Sequence, residues 1–159
     1  IGDAGGEIVG RTKLQKIAYL LTLAGFDKQF RFGYKHYGPF SQELADAAEL
    51  AAAFDLISER QQQASWGGSY SVYAAQSVEP SGQAGRTGLA KAAAQSDAVV
   101  LELAAPAAYL AQEGKPHPWA EPARRKPDKA DDNRLEKAKA LYAKLRTASG
   151  DALPEIAAL

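Results

Sequence analysis

The chain contains no cysteine and no methionine. Without thiols it can build neither a disulfide framework nor a thiolate metal site, and it has no thiol nucleophile. The missing methionine reads in two ways: the chain lacks its natural start, or modified methionines are absent from it. Histidine is scarce as well, with only His36 and His117 in 159 residues, which excludes a histidine-rich metal site. No apolar run of about 18 residues is present, so no spanning helix is expected, and no charged-then-apolar opening resembles a signal peptide. A cytoplasmic location follows as the expectation. No local signature sets a serine beside a base, and no carboxylate pair has a distinctive spacing. The chain is therefore expected to be no enzyme and to need neither cofactor nor metal.

What is present is a polarised charge pattern under a net charge of zero. From Glu7 to Lys35 six basic residues face two acidic ones, whereas Tyr37 to Glu59 holds five acidic residues (Glu43, Asp46, Glu49, Asp55, Glu59) and no basic one. From Arg124 to Arg146 the balance returns to nine basic against four acidic. Two readings follow: three solvated helix faces, or an acidic helix that docks against a basic segment, internally or in a partner.

Periodicity supplies the elements. Thr12-Lys-Leu-Gln15 matches a capping box, and Leu14, Ile17, Ala18, Leu21 and Ala24 continue as one apolar stripe, which predicts a helix over about 12–24 ended by Gly25. Lys13 and Lys16 fall on or beside its opposite face, where they either meet phosphates or stay solvated. Phe30, Phe32 and Tyr34 alternate with Arg31, Gly33 and Lys35, which predicts a short half-buried strand. Such aromatics either stack on nucleic-acid bases or pack on a neighbouring helix, and packing is the stronger expectation. Ser41 is placed to cap a second helix, about Gln42 to Phe54, that buries Leu44, Ala47, Ala48, Leu50, Ala51 and Phe54. Leu56-Ile57 leads into a strand, Gln61 to Gly68 is a polar tip, and Ser69 to Tyr73 alternates again, so a hairpin should follow the helix. Trp66 lies near that tip. Exposed, it is a contact residue; tucked, it pins the hairpin to the body, and the roughly 1.5–3 kcal/mol gained by burying a large apolar side chain favours tucking.

The residues Gly10-Arg-Thr-Lys-Leu-Gln-Lys16, Tyr19-Leu-Leu21, and Tyr37-Gly-Pro-Phe-Ser41 with Glu43-Leu44 resemble the uncharacterised bacterial and archaeal YwgA-like proteins. They are more distantly similar to the Panacea antitoxin domain, with its KLQK and YGP elements. Leu101-Glu-Leu-Ala-Ala105, Tyr109-Leu110 and Arg125-Lys-Pro-Asp-Lys-Ala130 fit the same YwgA-like pattern, so the resemblance runs from Gly10 to about Leu145. Pro106 departs from it, since threonine is expected there, and a proline should kink or restart the helix. The resemblance implies a helical, winged-helix-related fold without established enzymatic activity, and, through the Panacea relatives, toxin neutralisation.

The rest of the chain is read from composition. Ala75 to Gly88 is an exposed loop; its glycines lack the Gly-Lys-Ser/Thr ending and the leading strand of a phosphate loop. Leu89 to Gln95 is one helical turn or two, and Ser96-Asp97 caps a helix through Leu110 in which Glu102 either lies inside, paired with an arginine, or faces water, the stronger expectation. Pro116 to Pro127 is an extended connector anchored by Trp119, and Asn133 to Thr147 is a docking helix with a basic exterior. Arg124, Arg125 and Lys126 form the densest positive cluster, free to pair with the acidic helix, bind phosphate or stay hydrated.

The expected architecture is mainly α with a small β hairpin, an α+β fold. Residues 1–75 form a winged-helix-like core, 76–95 an exposed loop and short helix, and 96–159 a C-terminal helical part packed on the first within one compact domain. A reading helix in a DNA groove approaches two lines of phosphates, and this one offers Gln42, Glu43, Asp46 and Glu49. These residues with Trp66 are therefore the candidate protein-binding set, for a partner protein such as a toxin or for self-association. Arg11, Lys13, Lys16, Arg124, Arg125 and Lys126 are the candidate phosphate or nucleic-acid set, for an alternative DNA-binding regulator. No membrane role is expected.

Overall fold

The computed structural model describes residues 1–35, 38–76, 79–125 and 131–156. A short 3-10 turn, Gly2–Ala4, precedes strand β1 (Glu7–Val9) and helix α1 (Arg11–Leu23). Strands β2 (Gly33–Lys35) and β3 (Gly38–Phe40) lead to helix α2 (Gln42–Ala53), then β4 (Ile57–Gln63) and β5 (Ser69–Ala75). Helices α3 (Ala84–Gln95), α4 (Ala98–Gln112), α5 (Ala120–Arg125) and α6 (Asp132–Ala148) complete the described chain. The fold is α+β, with the strands in two antiparallel sheets, β1-β5-β4 and β2-β3. No helix among the described residues is long and apolar enough to cross a membrane.

Helix α1 sits at the centre. Leu14, Ile17 and Leu21 are buried as the stripe predicts, but so are Tyr19, Leu20, Gln15 and Lys16, so α1 is enclosed on more than one side. It packs against α3 and α4, and α6 closes over both. Its end follows the expected pattern: Gly25 adopts φ 86°, its N–H reaches Thr22 O, and the Phe26 N–H reaches Leu21 O, the paired closure of a Schellman motif. The capping box at its start is absent. Gly10 is the N-cap, no side chain caps it, and Gln15 points instead into the interior towards Ser41.

The three-stranded sheet sets Ile8 opposite Tyr73, and both are buried. The hairpin β4-β5 runs in continuous register from Ile57↔Ala75 to Gln63↔Ser69, as the alternation predicts. The strand expected over the aromatic run is shorter, Gly33–Lys35, and the aromatics pack on helices. Tyr19 meets Phe32 edge-on with centroids 5.4 Å apart, and Tyr34 lies 5.4 Å from Tyr109.

Two later expectations fail for a shared reason, that packing recruits residues whose local composition favours a loop. Helix α3 begins at Ala84, inside the Gly-rich stretch, because Gly85 and Gly88 let the C-terminal end of α6 approach. A Cβ at Gly88 would lie 2.4 Å from the Ala148 carbonyl oxygen, and one at Gly85 2.7 Å from that of Ser149. The segment expected to be an extended connector contains helix α5, although Trp119 is buried against Tyr142 as foreseen. Helix α4 runs through the fully buried Pro106 without a restart. Asp97 caps it by accepting from the N–H groups of Val99 and Val100.

The N-terminal turn is tied to α3 through Asp3, whose side chain is 9% exposed. Its carboxylate accepts from Ser81 N–H, Ser81 Oγ, Thr87 Oγ1 and Arg86 Nε at 2.7–3.0 Å. Burial alone would raise the carboxyl pKa, but these hydrogen bonds outweigh it and hold the group below the ordinary 3.8. A lowered folded-state pKa means stability present above the unfolded value and lost as pH falls through the folded one. Asp3→Asn should cost about 1.5–3 kcal/mol at pH 7, the range for hydrogen bonds to a charged group. Urea unfolding of variant and parent should show that gap closing as pH falls below about 4; a gap independent of pH would contradict the assignment.

Candidate functional site

The two sequence runs Gly10–Lys16 and Gly38–Ser41 meet in space. Gln15 donates through Nε2 to Ser41 O at 3.0 Å and accepts at Oε1 from Ser41 N–H at 2.9 Å. Ser41 is 1% and Gln15 5% exposed, so both backbone groups would otherwise be buried without partners. The Ser41 hydroxyl meanwhile accepts from Leu44 N–H and caps α2, as its position in the sequence predicts. Lys16 Nζ donates to Pro39 O at 3.0 Å. A Cβ at Gly38 would lie 2.6 Å from that Nζ and 3.3 Å from Pro106 Cγ, so a side chain there would have to displace the Lys16 ammonium. Together α1, β3 and the start of α2 form one hydrogen-bonded junction.

Beside the junction opens a cleft of about 610 Å³ between α1, α2 and the sheet. It is lined by three cations and three carboxylates, Arg11, Lys16 and Lys35 with Glu49, Glu59 and Glu102. Arg11 meets Glu59 at 3.3 Å, and Glu59 accepts from Ser71 Oγ at 2.8 Å. Burial raises the Glu59 pKa, but hydrogen bonds from Ser71 and Tyr73 and the charge of Arg11 carry it below the ordinary value. Lys35 lies over the Phe40 ring, 5.0 Å from its centroid. Among the described residues no group of three or more His, Asp or Glu side chains is placed to hold a metal ion.

The candidate phosphate set does not assemble into one surface. Lys13 is half-buried and donates to Ala94 O and Ser96 O at 3.1 and 2.7 Å, closing the C-terminal end of α3. Its burial lowers the ammonium pKa, against an opposing pull from Asp97. Lys16, expected on an outer face, is 6% exposed. Arg124 and Arg125 both pair with Glu121, at 2.9 and 2.8 Å, one helical turn away on α5; Lys126 lies outside the described residues. Arg11 and Arg124 keep their guanidinium groups largely in solvent, 71% and 65% exposed while paired with Glu59 and Glu121.

The candidate protein-binding set lies outward. Gln42, Glu43, Asp46 and Glu49 are exposed on α2; Gln42 Nε2 donates to Asp46 at 2.9 Å, and Glu43 accepts from the Arg31 N–H at 3.2 Å. Trp66 is not tucked. It stands 76% exposed in the 64–68 turn, its ring folded over Gly68, where a Cβ would lie 1.6 Å from the indole. The exposed ring also lines an open cleft shared with the start of α1, Tyr70 of β5 and Glu102 of α4.

The largest correction concerns the apolar face of α2. Of the six residues expected inside, Leu44 alone is buried, while Leu50 is 59% and Phe54 70% exposed. The six span about 160° of helix circumference, and only the edge holding Leu44 and Ala48 packs against the core. The other edge, Ala47, Leu50 and Phe54 at i, i+3 and i+7, faces outward, and Leu56 (65% exposed) follows it. Neither periodicity nor composition distinguishes these two edges; the difference is set by where Gln15 anchors Ser41.

No family model, no curated protein and no solved structure matches this chain.

Removing the Gln15 amide should leave the buried N–H and C=O of Ser41 without partners. Gln15→Ala is expected to lose about 2–3 kcal/mol of stability in denaturant unfolding. Gln15→Glu should not restore it, because a carboxylate accepts from the Ser41 N–H but has nothing to donate to its carbonyl. An alanine variant within about 0.5 kcal/mol of the parent would show that the junction is not what holds α2.

Proposed function

We propose that this chain is a non-catalytic binding protein in which α2 and the β4-β5 hairpin contact a partner protein from a winged-helix-like scaffold. The observation that carries the reading is the outward stripe Ala47-Leu50-Phe54, continued by Leu56 and set among Glu43, Asp46 and Asp55. Exposed apolar side chains grouped on one element mark contact surfaces rather than ordinary surface scatter. The order of α1, α2 and the following hairpin, with β1 as a third strand, supports the winged-helix-like description. The resemblance to the YwgA-like proteins supports the same scaffold, and the more distant similarity to the Panacea antitoxin domain makes a toxin one form the partner could take.

The competing reading is a DNA-binding regulator. Of its cations, Lys13 and Lys16 are engaged by carbonyl oxygens, and Arg124 and Arg125 share the single carboxylate of Glu121. The helix that would enter a groove carries carboxylates, which phosphates repel. Fluorescence anisotropy with labelled random duplex DNA, titrated across salt, separates the two. The protein-contact reading expects no saturation at protein concentrations up to about 100 μM near physiological salt, the weak end of non-specific DNA binding. Saturable binding that falls steeply with salt would overturn it.

A further inference from the structure

We infer that the outward stripe of α2 receives a basic amphipathic helix from a partner protein, an inference that rests on the protein-contact reading above. The shape of the stripe selects a helix. Ala47, Leu50 and Phe54 lie along one edge of α2 over about 10 Å, two helical turns, and anchors at i, i+3 and i+7 match the apolar seam of a second helix laid alongside. A strand would present alternate side chains at a spacing this edge does not repeat.

The charge selects the sign. Residues 38–59 contain five carboxylates and no lysine or arginine. Among the described residues, no cation stands within ion-pair distance of Glu43, Asp46, Glu49 or Asp55, although the neighbouring sheet pairs Arg11 with Glu59 and Arg60 with Glu7. Arg11 and Arg60 are thus matched to sheet carboxylates, Lys16 to Pro39 O and Lys35 to the Phe40 ring, while Glu43 and Asp46, one helical turn or two from Ala47, Leu50 and Phe54, border the apolar stripe with no cation in ion-pair distance among the described residues. A helix with leucine or phenylalanine along one face and lysine or arginine on its flanks buries the stripe and neutralises the rim together. Symmetric α2-on-α2 pairing of two copies would instead set Glu43 and Asp46 against their own kind, which is unfavourable. The stripe is also dispensable to the fold, because the opposite edge, Leu44 and Ala48, supplies the packing of α2.

The test uses the whole chain and two synthetic peptides of about 18 residues, long enough to hold helix. Both carry leucine and phenylalanine at i, i+3 and i+7; one is flanked by lysine, the other by glutamate. Labelled-peptide anisotropy should show the lysine peptide binding at least about tenfold more tightly than the glutamate peptide, a difference of about 1.4 kcal/mol. Phe54→Ser should weaken the lysine peptide about tenfold, as loss of a central apolar anchor does. Glu43→Lys combined with Asp46→Lys should reverse the preference, and circular dichroism of each variant checks that the fold persists. Equal affinity for the two peptides, or none for either, overturns the inference. If neither peptide binds but sedimentation shows self-association that Phe54→Ser removes, the occupant is a second copy, offering for example the exposed Lys137 and Lys144 of α6. That outcome also overturns the inference while leaving the protein-contact reading standing; salt-sensitive binding to random duplex DNA would sink that reading itself.

Discussion

Gln15 binds both backbone groups of Ser41, and Ser41 in turn caps the helix that follows it. The pair sits where the central helix, the β2-β3 hairpin and the start of α2 converge, with nearly no access for water. A single amide side chain thus sets the angle at which α2 leaves the body, because its donor and acceptor lock one peptide in one orientation. Lys16 fixes the preceding turn through Pro39 O, and its Nζ with Pro106 crowds Gly38. Helix α2 is consequently held at its N-terminal end and along one edge. It passes β4, and its far edge and C-terminal end stay in solvent.

That placement gives the surface its character. An apolar stripe in water is unfavourable by roughly 25 cal/mol for each Å² of apolar surface. A helix built from alanine with leucine and phenylalanine at its periphery could bury them only by rolling, and the Ser41 anchor prevents the roll. Elsewhere the same economy of polar groups governs the basic residues. Lys13 closes the end of α3, Arg86 joins Asp3 to Phe26 O, and Arg146 holds Leu153 O. Two of the cations that suggest phosphate binding in the sequence, Lys13 and Lys16, are thus structural, satisfying backbone carbonyl oxygens as Arg86 and Arg146 do.

Much of the fold was legible beforehand. Period-3.6 stripes located α1, α2, α4 and α6, the caps at Ser41 and Asp97 act as their positions suggest, and the β4-β5 hairpin follows from its alternation. What was hidden depended on partners distant in sequence. Gln15 has the spacing of a capping box, yet its partner is 26 residues away. Strand β1 is three residues long and exists only because β5 lies beside it. Glycines read as loop formers become contact points between α3 and α6. On the candidate site, the acidic outward residues of α2 were found by charge alone, but the exposure of Leu50, Phe54 and Trp66 was not, since apolar residues at helical spacing look the same whether a neighbour covers them or not.

The central claim is that α2 has two apolar edges with opposite duties, one holding the fold and one facing out. Unfolding free energies of three single variants test it directly: Leu44→Ala on the inner edge, and Leu50→Ser and Phe54→Ser on the outer. The account predicts a loss of about 2–4 kcal/mol for the first, in the range of core truncations. For the other two it predicts changes within about 0.5 kcal/mol, as for ordinary surface positions. Losses above about 2 kcal/mol at Leu50 and Phe54 would place the outer edge inside the fold and contradict the account.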